Sequence, residues 1–136
     1  MIMLKKFLFA DLDDTLFQSG RKCPEGAPLT PMAYLKDGTA HSFATTAQKS
    51  FLMMMEQEMS VIPVTARNAD AFSRVRWPFT NGAVINYGGV ILQPDGAVDE
   101  CWLSQSRARA AQTLPMLERL RAELSSIAST FGVTLK

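Results

Sequence analysis

One stretch near the N-terminus constrains the fold more than any other part of the chain. Residues 7–16 have the sequence FLFADLDDTL, in which a short apolar run lies between lysines and acidic residues. Such a run predicts a buried β-strand. Because side chains alternate along a strand, we expect Asp11 and Asp13 to share one face at its C-terminal end.

These two carboxylates predict a particular kind of chemistry. Like charges this close repel each other unless a cation or a proton separates them. Mg²⁺ prefers hard oxygen ligands and often bridges a carboxylate to a phosphate group. We therefore expect a metal and phosphoryl-transfer site at Asp11 and Asp13. The alternative is a strand that ends in an acidic turn, with Asp14 or Thr15 as a helix cap.

A second apolar strand, over residues 61–65, ends in the hydroxyl side chain of Thr65. Before it, the pattern predicts a helix from about residue 45, with Thr45 or Thr46 as its cap. The helix has apolar residues at helical spacing, which we expect to pack on the sheet: Ala47, Phe51, Met54, Met55 and Met59. This order favours a parallel βαβ unit that places Thr65 at the same sheet edge as Asp11. Pro63 weakens the strand prediction, because proline cannot donate to a central ladder.

Both segments resemble motifs of the haloacid dehalogenase superfamily. Its first motif is an apolar strand followed by Asp-x-Asp-x-Thr/Val-Leu, which residues 11–16 match at every defined position. Its second motif is an apolar strand that ends in Thr or Ser. Thr65-Ala66-Arg67 is similar to the Thr-Gly-Arg form of the Cof-type and sucrose-phosphatase-like branch, and residues 79–86 resemble the Asn-Gly-Ala segment of that branch.

The resemblance implies a role for each matching residue. Asp11 would be the catalytic nucleophile that forms an aspartyl-phosphate. Asp13 would be the general acid/base, which protonates the leaving alcohol and then activates water. Thr65 and the Ala66 amide would bind a phosphoryl oxygen, and Mg²⁺ would be held by Asp11 and the Asp13 carbonyl. Arg67 is either an anion ligand or a surface ion-pair residue, and the sequence leaves both open.

A β-hairpin is predicted between the two motifs, over about residues 32–43, because Asp37-Gly38 separates two short strand-like runs. In the resembled family a hairpin flap follows the first motif and leans over the active site. The resemblance would place Tyr34, Lys36 and His41 near that mouth. His41 is the single histidine, and we expect it to be a solvated hairpin residue without a catalytic role.

The second half of the chain contains few chemical signals. A short helix is predicted over residues 69–75, followed by small antiparallel strands separated by glycine turns at 88–89 and 94–96. Residues 104–131 predict a helical segment that is broken at Thr113-Leu114-Pro115. Its apolar stripe comprises Leu117, Leu120, Leu124, Ile127 and Phe131. Gly132 is predicted to end this helix, and residues 133–136 to begin another strand.

Two motifs that the resembled fold requires are not found in this sequence. One supplies a lysine and the other an Asp pair that completes the Mg²⁺ shell. No lysine occurs between Lys49 and Lys136, and no Asp pair follows an apolar strand after Asn68. We therefore expect residues 1–136 to form a single, incomplete haloacid dehalogenase-like core domain, without the cap and the later motifs. Its expected fold is α/β, with a Rossmann-like, mainly parallel sheet, a β-hairpin flap and a C-terminal helical segment.

Composition limits the partners and the compartment. The formal net charge of +1 gives no argument for a nucleic-acid or membrane partner. Cys23 and Cys101 are too few for a disulfide framework and lack metal-ligand spacing, which favours the reducing cytoplasm. No apolar run approaches the length of a membrane span, and the run after Lys6 is too short for a signal peptide. The oligomeric state stays open.

The expected function is a Mg²⁺-dependent phosphatase that acts on a small phosphorylated metabolite, such as a sugar phosphate. Three alternatives remain. The chain is a catalytically impaired module that binds a ligand or a partner, a truncated fragment of a longer phosphatase, or a phosphomutase, which shares the first two motifs.

Overall fold

The computed structural model describes residues 5–134 and has a mixed α/β fold. The strands are β1 (Phe7–Ala10), β2 (Gln18–Ser19), β3 (Leu29–Tyr34), β4 (Ala40–Thr45), β5 (Ser60–Pro63), β6 (Ala83–Ile85) and β7 (Val90–Leu92). The helices are α1 (Thr46–Glu58), α2 (Ala69–Ser73) and α3 (Glu100–Thr130), with short 3₁₀ turns at Gly20–Lys22 and Asn86–Gly88. None of these helices is both long enough and apolar enough to cross a membrane.

A small parallel sheet joins the two strands that carry the sequence motifs. β1 and β5 pair in parallel, with Ala10 opposite Pro63, and a parallel bridge between Val64 and Val84 adds β6 on the other side of β5. The remaining strand pairs, β2–β4, β3–β4 and β6–β7, are antiparallel. The missing amide of Pro63 costs little, because the pairing with β6 begins only at Val64. The parallel strand–helix–strand unit is thus confirmed.

The predicted hairpin is present, formed by β3 and β4. Gly38 has a φ of +83° in its turn, a conformation that glycine adopts without a steric penalty. The outer edge of β3 is bonded to the segment that follows α2. The Tyr34 amide donates to the Arg74 carbonyl at 3.2 Å, and the Arg76 amide donates to the Met32 carbonyl at 2.8 Å. These bonds attach the hairpin to the body of the molecule.

The core lies between one face of the parallel pair, the hairpin and α1. Its largest buried side chains are Leu12, Phe17, Met32, Leu52 and Val61. Leu8 and Ala10 face this core from β1, whereas Phe7 and Phe9 on the opposite face are 52% and 63% exposed. The parallel pair is therefore covered on one face among the described residues.

Helix α1 begins where the sequence predicts, but it buries a different face. Thr45 caps it in a reciprocal capping box with Gln48. The predicted apolar face is mostly wrong: Phe51 and Met54 are 46% and 51% exposed, whereas Leu52 is 1% exposed. The apolar residues of this helix cover several faces, so spacing alone did not select the one that packs.

Helix α3 contradicts the predicted break. It begins at Glu100, where the Asp99 side chain caps the Trp102 amide, and continues through Pro115 to Thr130. A proline removes one donor and strains one turn, but good helix formers on both sides continue the helix. The predicted stripe from Leu117 to Phe131 is exposed. Val133 and Thr134 form no strand, and the rest of that prediction lies outside the described residues.

Candidate active site

The structure brings the predicted site residues to one edge of the parallel pair. Asp11 directly follows β1, and Thr65 lies just beyond β5. The Val64 amide donates to the Ala10 carbonyl at 2.8 Å, and the Thr65 amide donates to the Val84 carbonyl at 2.9 Å. Both motifs are thus held at the carboxyl ends of neighbouring strands, where open α/β sheets bind ligands.

A tight turn after β1 presents the two carboxylates. The Leu12 carbonyl accepts bonds from the amides of Thr15, Leu16 and Phe17 at 3.3, 3.0 and 3.2 Å. Leu12, Leu16 and Phe17 are buried, so the loop is anchored in the core. Asp11 and Asp13 are exposed on the other side, and the Thr15 hydroxyl donates to Asp11 Oδ2 at 3.3 Å. Exposure alternates over residues 11–13, with Leu12 buried between the two carboxylates, although the strand itself ends at Ala10.

Arg67 pairs with Asp13 in a two-pronged ion pair. Arg67 Nε donates to Asp13 Oδ2 at 2.8 Å, and Nη2 donates to Oδ1 at 2.7 Å. The third guanidinium nitrogen donates to the Ala71 carbonyl at 3.3 Å, and the group lies 5.5 Å from the centroid of the Phe17 ring. The Arg67 side chain is only 16% exposed, compared with 49% for Asp13. Arg67 therefore donates a hydrogen bond to each carboxylate oxygen of Asp13 in this structure.

Several polar groups at this edge have bonding capacity left for a phosphoryl oxygen. Thr65 is 4% exposed, and its hydroxyl oxygen accepts from the Arg67 amide at 3.2 Å. Its O–H donates to no described residue, and the same holds for the amides of Asp13 and Ala66. Donors fixed in this way can stabilise developing negative charge on a transferred group.

The oxygens predicted to hold Mg²⁺ are compatible with a weakly bound ion. The Asp13 carbonyl and Asp11 Oδ1 accept no hydrogen bond from another described residue. Mg²⁺ keeps several waters and usually takes one or two carboxylates from a protein, so this hard-oxygen pair fits part of its shell. Within residues 5–134, no group of three or more His, Cys, Asp or Glu side chains is placed to hold a metal.

Two polar side chains near the site were missed in the sequence. Lys22 Nζ lies 2.5 Å from Asp14 Oδ2, and both side chains are more than half exposed. Gln48 donates to the Thr15 carbonyl at 3.2 Å, which ties the start of α1 to the loop after β1. The Thr-x-x-Gln capping-box pattern was a usable signal for Gln48. No local pattern predicts the contact of Lys22.

Two of the three hairpin residues predicted near the mouth, Tyr34 and Lys36, contact α2 or the segment after it. Lys36 Nζ lies 3.9 Å from the Asp70 carboxylate, and the Arg76 guanidinium lies 5.7 Å from the centroid of the Tyr34 ring. Arg74 donates to Asp70 at 2.6 Å, and this hydrogen bond holds the pKa of the Asp70 carboxyl below its usual value. His41 is exposed on β4.

No family model and no curated protein matches the sequence. The function is therefore inferred from the residues of the chain itself.

Proposed function

We propose that this chain is a Mg²⁺-dependent phosphatase of the haloacid dehalogenase superfamily with a Rossmann-like core, acting on a small phosphorylated metabolite. One observation carries the proposal: the Asp-x-Asp turn after β1 and the Thr65 turn after β5 lie at the same edge of a parallel pair. Nucleophile, proton carrier and phosphoryl-binding hydroxyl are the set that phosphoryl transfer through an aspartyl-phosphate needs.

The proposed reaction has two displacement steps. A carboxylate oxygen of Asp11 attacks phosphorus, the bond from phosphorus to the alcohol oxygen breaks, and Asp13 gives a proton to the departing alcohol. Asp13 then accepts a proton from water, whose oxygen attacks the same phosphorus and releases inorganic phosphate and the Asp11 carboxylate. Thr65 and the Ala66 amide hold the phosphoryl oxygens in both steps. Mg²⁺, held by the Asp11 carboxylate and the Asp13 carbonyl, would supply charge neutralisation on the phosphoryl group.

In the proposed reaction, the leaving alcohol competes with Arg67 for Asp13. Both oxygens of Asp13 accept a hydrogen bond from Arg67, and each keeps one further lone pair. An incoming phosphoryl group is a competing anion for the guanidinium, which binds phosphate and carboxylate with the same two-pronged geometry. We propose that the Arg67 guanidinium moves from Asp13 to the phosphoryl group when the substrate binds.

A non-catalytic, ligand-binding role is the second candidate. The pair between Asp13 and Arg67 favours it, because the proposed acid/base already has a charged partner. No described lysine forms an ion pair with Asp11, and Lys22 pairs with Asp14. We therefore expect slow turnover by this chain alone.

The test measures formation of the aspartyl adduct separately from turnover. Beryllium fluoride mimics a phosphoryl group on a carboxylate, and ¹⁹F NMR with Mg²⁺ reports its bound form. We expect a bound signal in the wild type and in Asp95→Asn, which changes an exposed turn carboxylate, but none in Asp11→Asn. The wild type and Asp95→Asn should also release phosphate from p-nitrophenyl phosphate, whereas Asp11→Asn should not.

The two candidate functions give different results. Turnover that is undiminished in Asp11→Asn contradicts the aspartyl mechanism. Saturable binding of inorganic phosphate, with neither a ¹⁹F adduct nor turnover in the wild type, favours the ligand-binding module.

A further inference from the structure

A cleft lies between the turn that follows β6 and the first turns of α3. Its volume is about 290 Å³, at the small end of the range for pockets that bind small molecules. One wall is the turn of Asn86, Tyr87 and Gly88, and the other is the face of α3 that carries Trp102 and Arg109. The Trp102 indole nitrogen donates to the Gly88 carbonyl at 2.8 Å, which fixes the two walls together.

Two backbone hydrogen bonds connect the wall of the cleft to the candidate active site. The Asn86 amide donates to the Arg67 carbonyl at 2.7 Å, and the Tyr87 amide donates to the Thr65 carbonyl at 3.3 Å. The turn that forms the cleft wall is therefore continuous, through two backbone bonds, with the segment that holds Thr65 and Arg67.

The backbone of the wall is held in an unusual conformation. Asn86 and Tyr87 have φ values of +53° and +56°. Asparagine tolerates this left-handed region, but tyrosine adopts it rarely, and such residues concentrate at ligand sites. The result is a tyrosine ring that is 88% exposed beside the cleft. A flat, exposed aromatic ring with a hydroxyl is a suitable surface for the face of a sugar-like molecule.

The cleft also has a charge preference. Arg109 is the only lining residue that carries a formal charge, and its side chain forms no ion pair with another described residue. Gln105 and Ser106 lie on the same wall and supply further hydrogen-bonding groups. A guanidinium beside neutral donors and acceptors recognises a carboxylate or a phosphate attached to a hydroxyl-rich molecule.

We propose that this cleft binds the alcohol part of the substrate, and that this part is a polyhydroxylated molecule with its own anionic group. The hydroxyl-bearing carbons lie on Tyr87, and the carboxylate or second phosphate pairs with Arg109. The link to a substrate rests on the proposed phosphatase function, but binding to the cleft is measurable without any turnover.

The test uses the two tryptophans of the chain as separate probes. The Trp102 indole lines the cleft, whereas the Trp77 indole donates to Glu56 at 2.8 Å elsewhere and is an internal control. In ¹⁵N NMR, D-gluconate should shift the Trp102 indole signal saturably and leave the Trp77 signal unchanged. Sorbitol, which has the same hydroxyls without the charge, should need about tenfold higher concentration for the same shift.

Matched variants assign the effect to Arg109. Arg109→Gln should make gluconate bind no better than sorbitol, whereas Arg107→Gln, at an exposed position on the same helix outside the cleft lining, should bind gluconate as the wild type does. Tyr87→Ala should weaken both ligands. Inorganic phosphate is the third probe: a stronger effect than gluconate assigns the site to a phosphate, and a weaker one to a carboxylate.

Three outcomes overturn the proposal: no saturable shift of the Trp102 signal, equal affinity of the wild type for gluconate and sorbitol, or equal losses in Arg109→Gln and Arg107→Gln. Asp11→Asn should bind gluconate as the wild type does. If the chain binds gluconate in the cleft but forms no aspartyl adduct, the proposed binding site is supported and the proposed phosphatase function is rejected.

Discussion

At the scale of single residues, the contact between Asp13 and Arg67 involves a candidate catalytic residue and also contributes to the stability of the fold. Arg67 uses all three guanidinium nitrogens in hydrogen bonds and is largely removed from solvent. A charged group held in this way stabilises the fold only while its partners remain. The same contact places the guanidinium beside the proposed acid/base, Asp13.

We predict a coupling energy of about 1–2 kcal/mol between these two side chains. A double-mutant cycle with Asp13→Asn and Arg67→Gln, measured by urea unfolding, gives this value. The matched control is the exposed pair of Arg119 and Glu123 on α3, whose nitrogen and oxygen are 3.0 Å apart. That pair should couple by less than about 0.5 kcal/mol, because solvent screens it. Equal coupling in the two cycles would contradict the assigned importance of Arg67.

Single residues also show which placements can be predicted from the sequence and which cannot. The placement of Asp11 and Asp13 follows from strand alternation, which is a local rule. The placement of Thr65 follows from the general preference of a strand–helix–strand unit for parallel pairing, which needs no knowledge of individual side-chain contacts. The partner of Arg67 lies 54 residues away in the chain. No spacing rule covers such a contact, so the sequence left its role open between two alternatives.

At the scale of elements, Asp70 fastens the hairpin and α2 to each other. Its carboxylate lies 2.6 Å from Arg74 and 3.9 Å from Lys36 at the hairpin end. The Arg74 hydrogen bond lowers the pKa of Asp70 in the folded state. A lowered folded pKa means that the stabilisation is present above the unfolded pKa and is lost as the pH falls through the folded pKa.

We therefore predict that Asp70→Asn destabilises the protein at about pH 6 and that the loss is smaller at about pH 3. Urea unfolding of the wild type and the variant at both pH values measures the two differences. Glu118→Gln removes an exposed α3 carboxylate that forms no ion pair with a described residue, and its effect should be small at both pH values. A loss in Asp70→Asn that is independent of pH would show that the ion pair is not its cause.

Helix α3 gives the second prediction at this scale. Pro115 lies inside the helix, and a proline there is less favourable than alanine by about 3 kcal/mol in the local equilibrium. Pro115→Ala should increase the helical circular dichroism signal and slow amide exchange between residues 111 and 125. Pro94→Ala, which changes a turn proline, should leave the helical signal unchanged. No gain in helicity for Pro115→Ala would indicate that the proline carries no local cost.

The elements that the sequence predicted well have a dominant local signal. The capping threonine of α1 and the Asp-Gly turn of the hairpin are of this kind, because each satisfies specific backbone geometry. The errors arise where two local effects compete. Pro115 predicts a break, but the helix formers around it predict continuation, and the latter prevailed. On α1, apolar residues on several faces gave no unique orientation.

At the scale of the whole molecule, the parallel pair is the feature that departs most from common architecture. Parallel sheets usually have both faces covered. Here one face of β1 packs on the core, while Phe7 and Phe9 are exposed on the other, and no described strand pairs with the outer edge of β1. The two catalytic candidates, Asp11 and Asp13, lie just after this strand.

An apolar strand with a free edge pairs readily with other chains. We therefore predict concentration-dependent association of the purified chain, and Phe9→Lys should reduce it because an edge lysine opposes strand pairing. Light scattering over a concentration series measures the effect. The matched control is Met116→Lys, at a position on α3 with a similar exposure of 66%, where the backbone groups are already bonded within the helix. If Met116→Lys reduces association as much as Phe9→Lys, the cause is general apolar exposure and the edge of β1 has no special role. If only Phe9→Lys acts, the edge of β1 is the surface through which the chains associate.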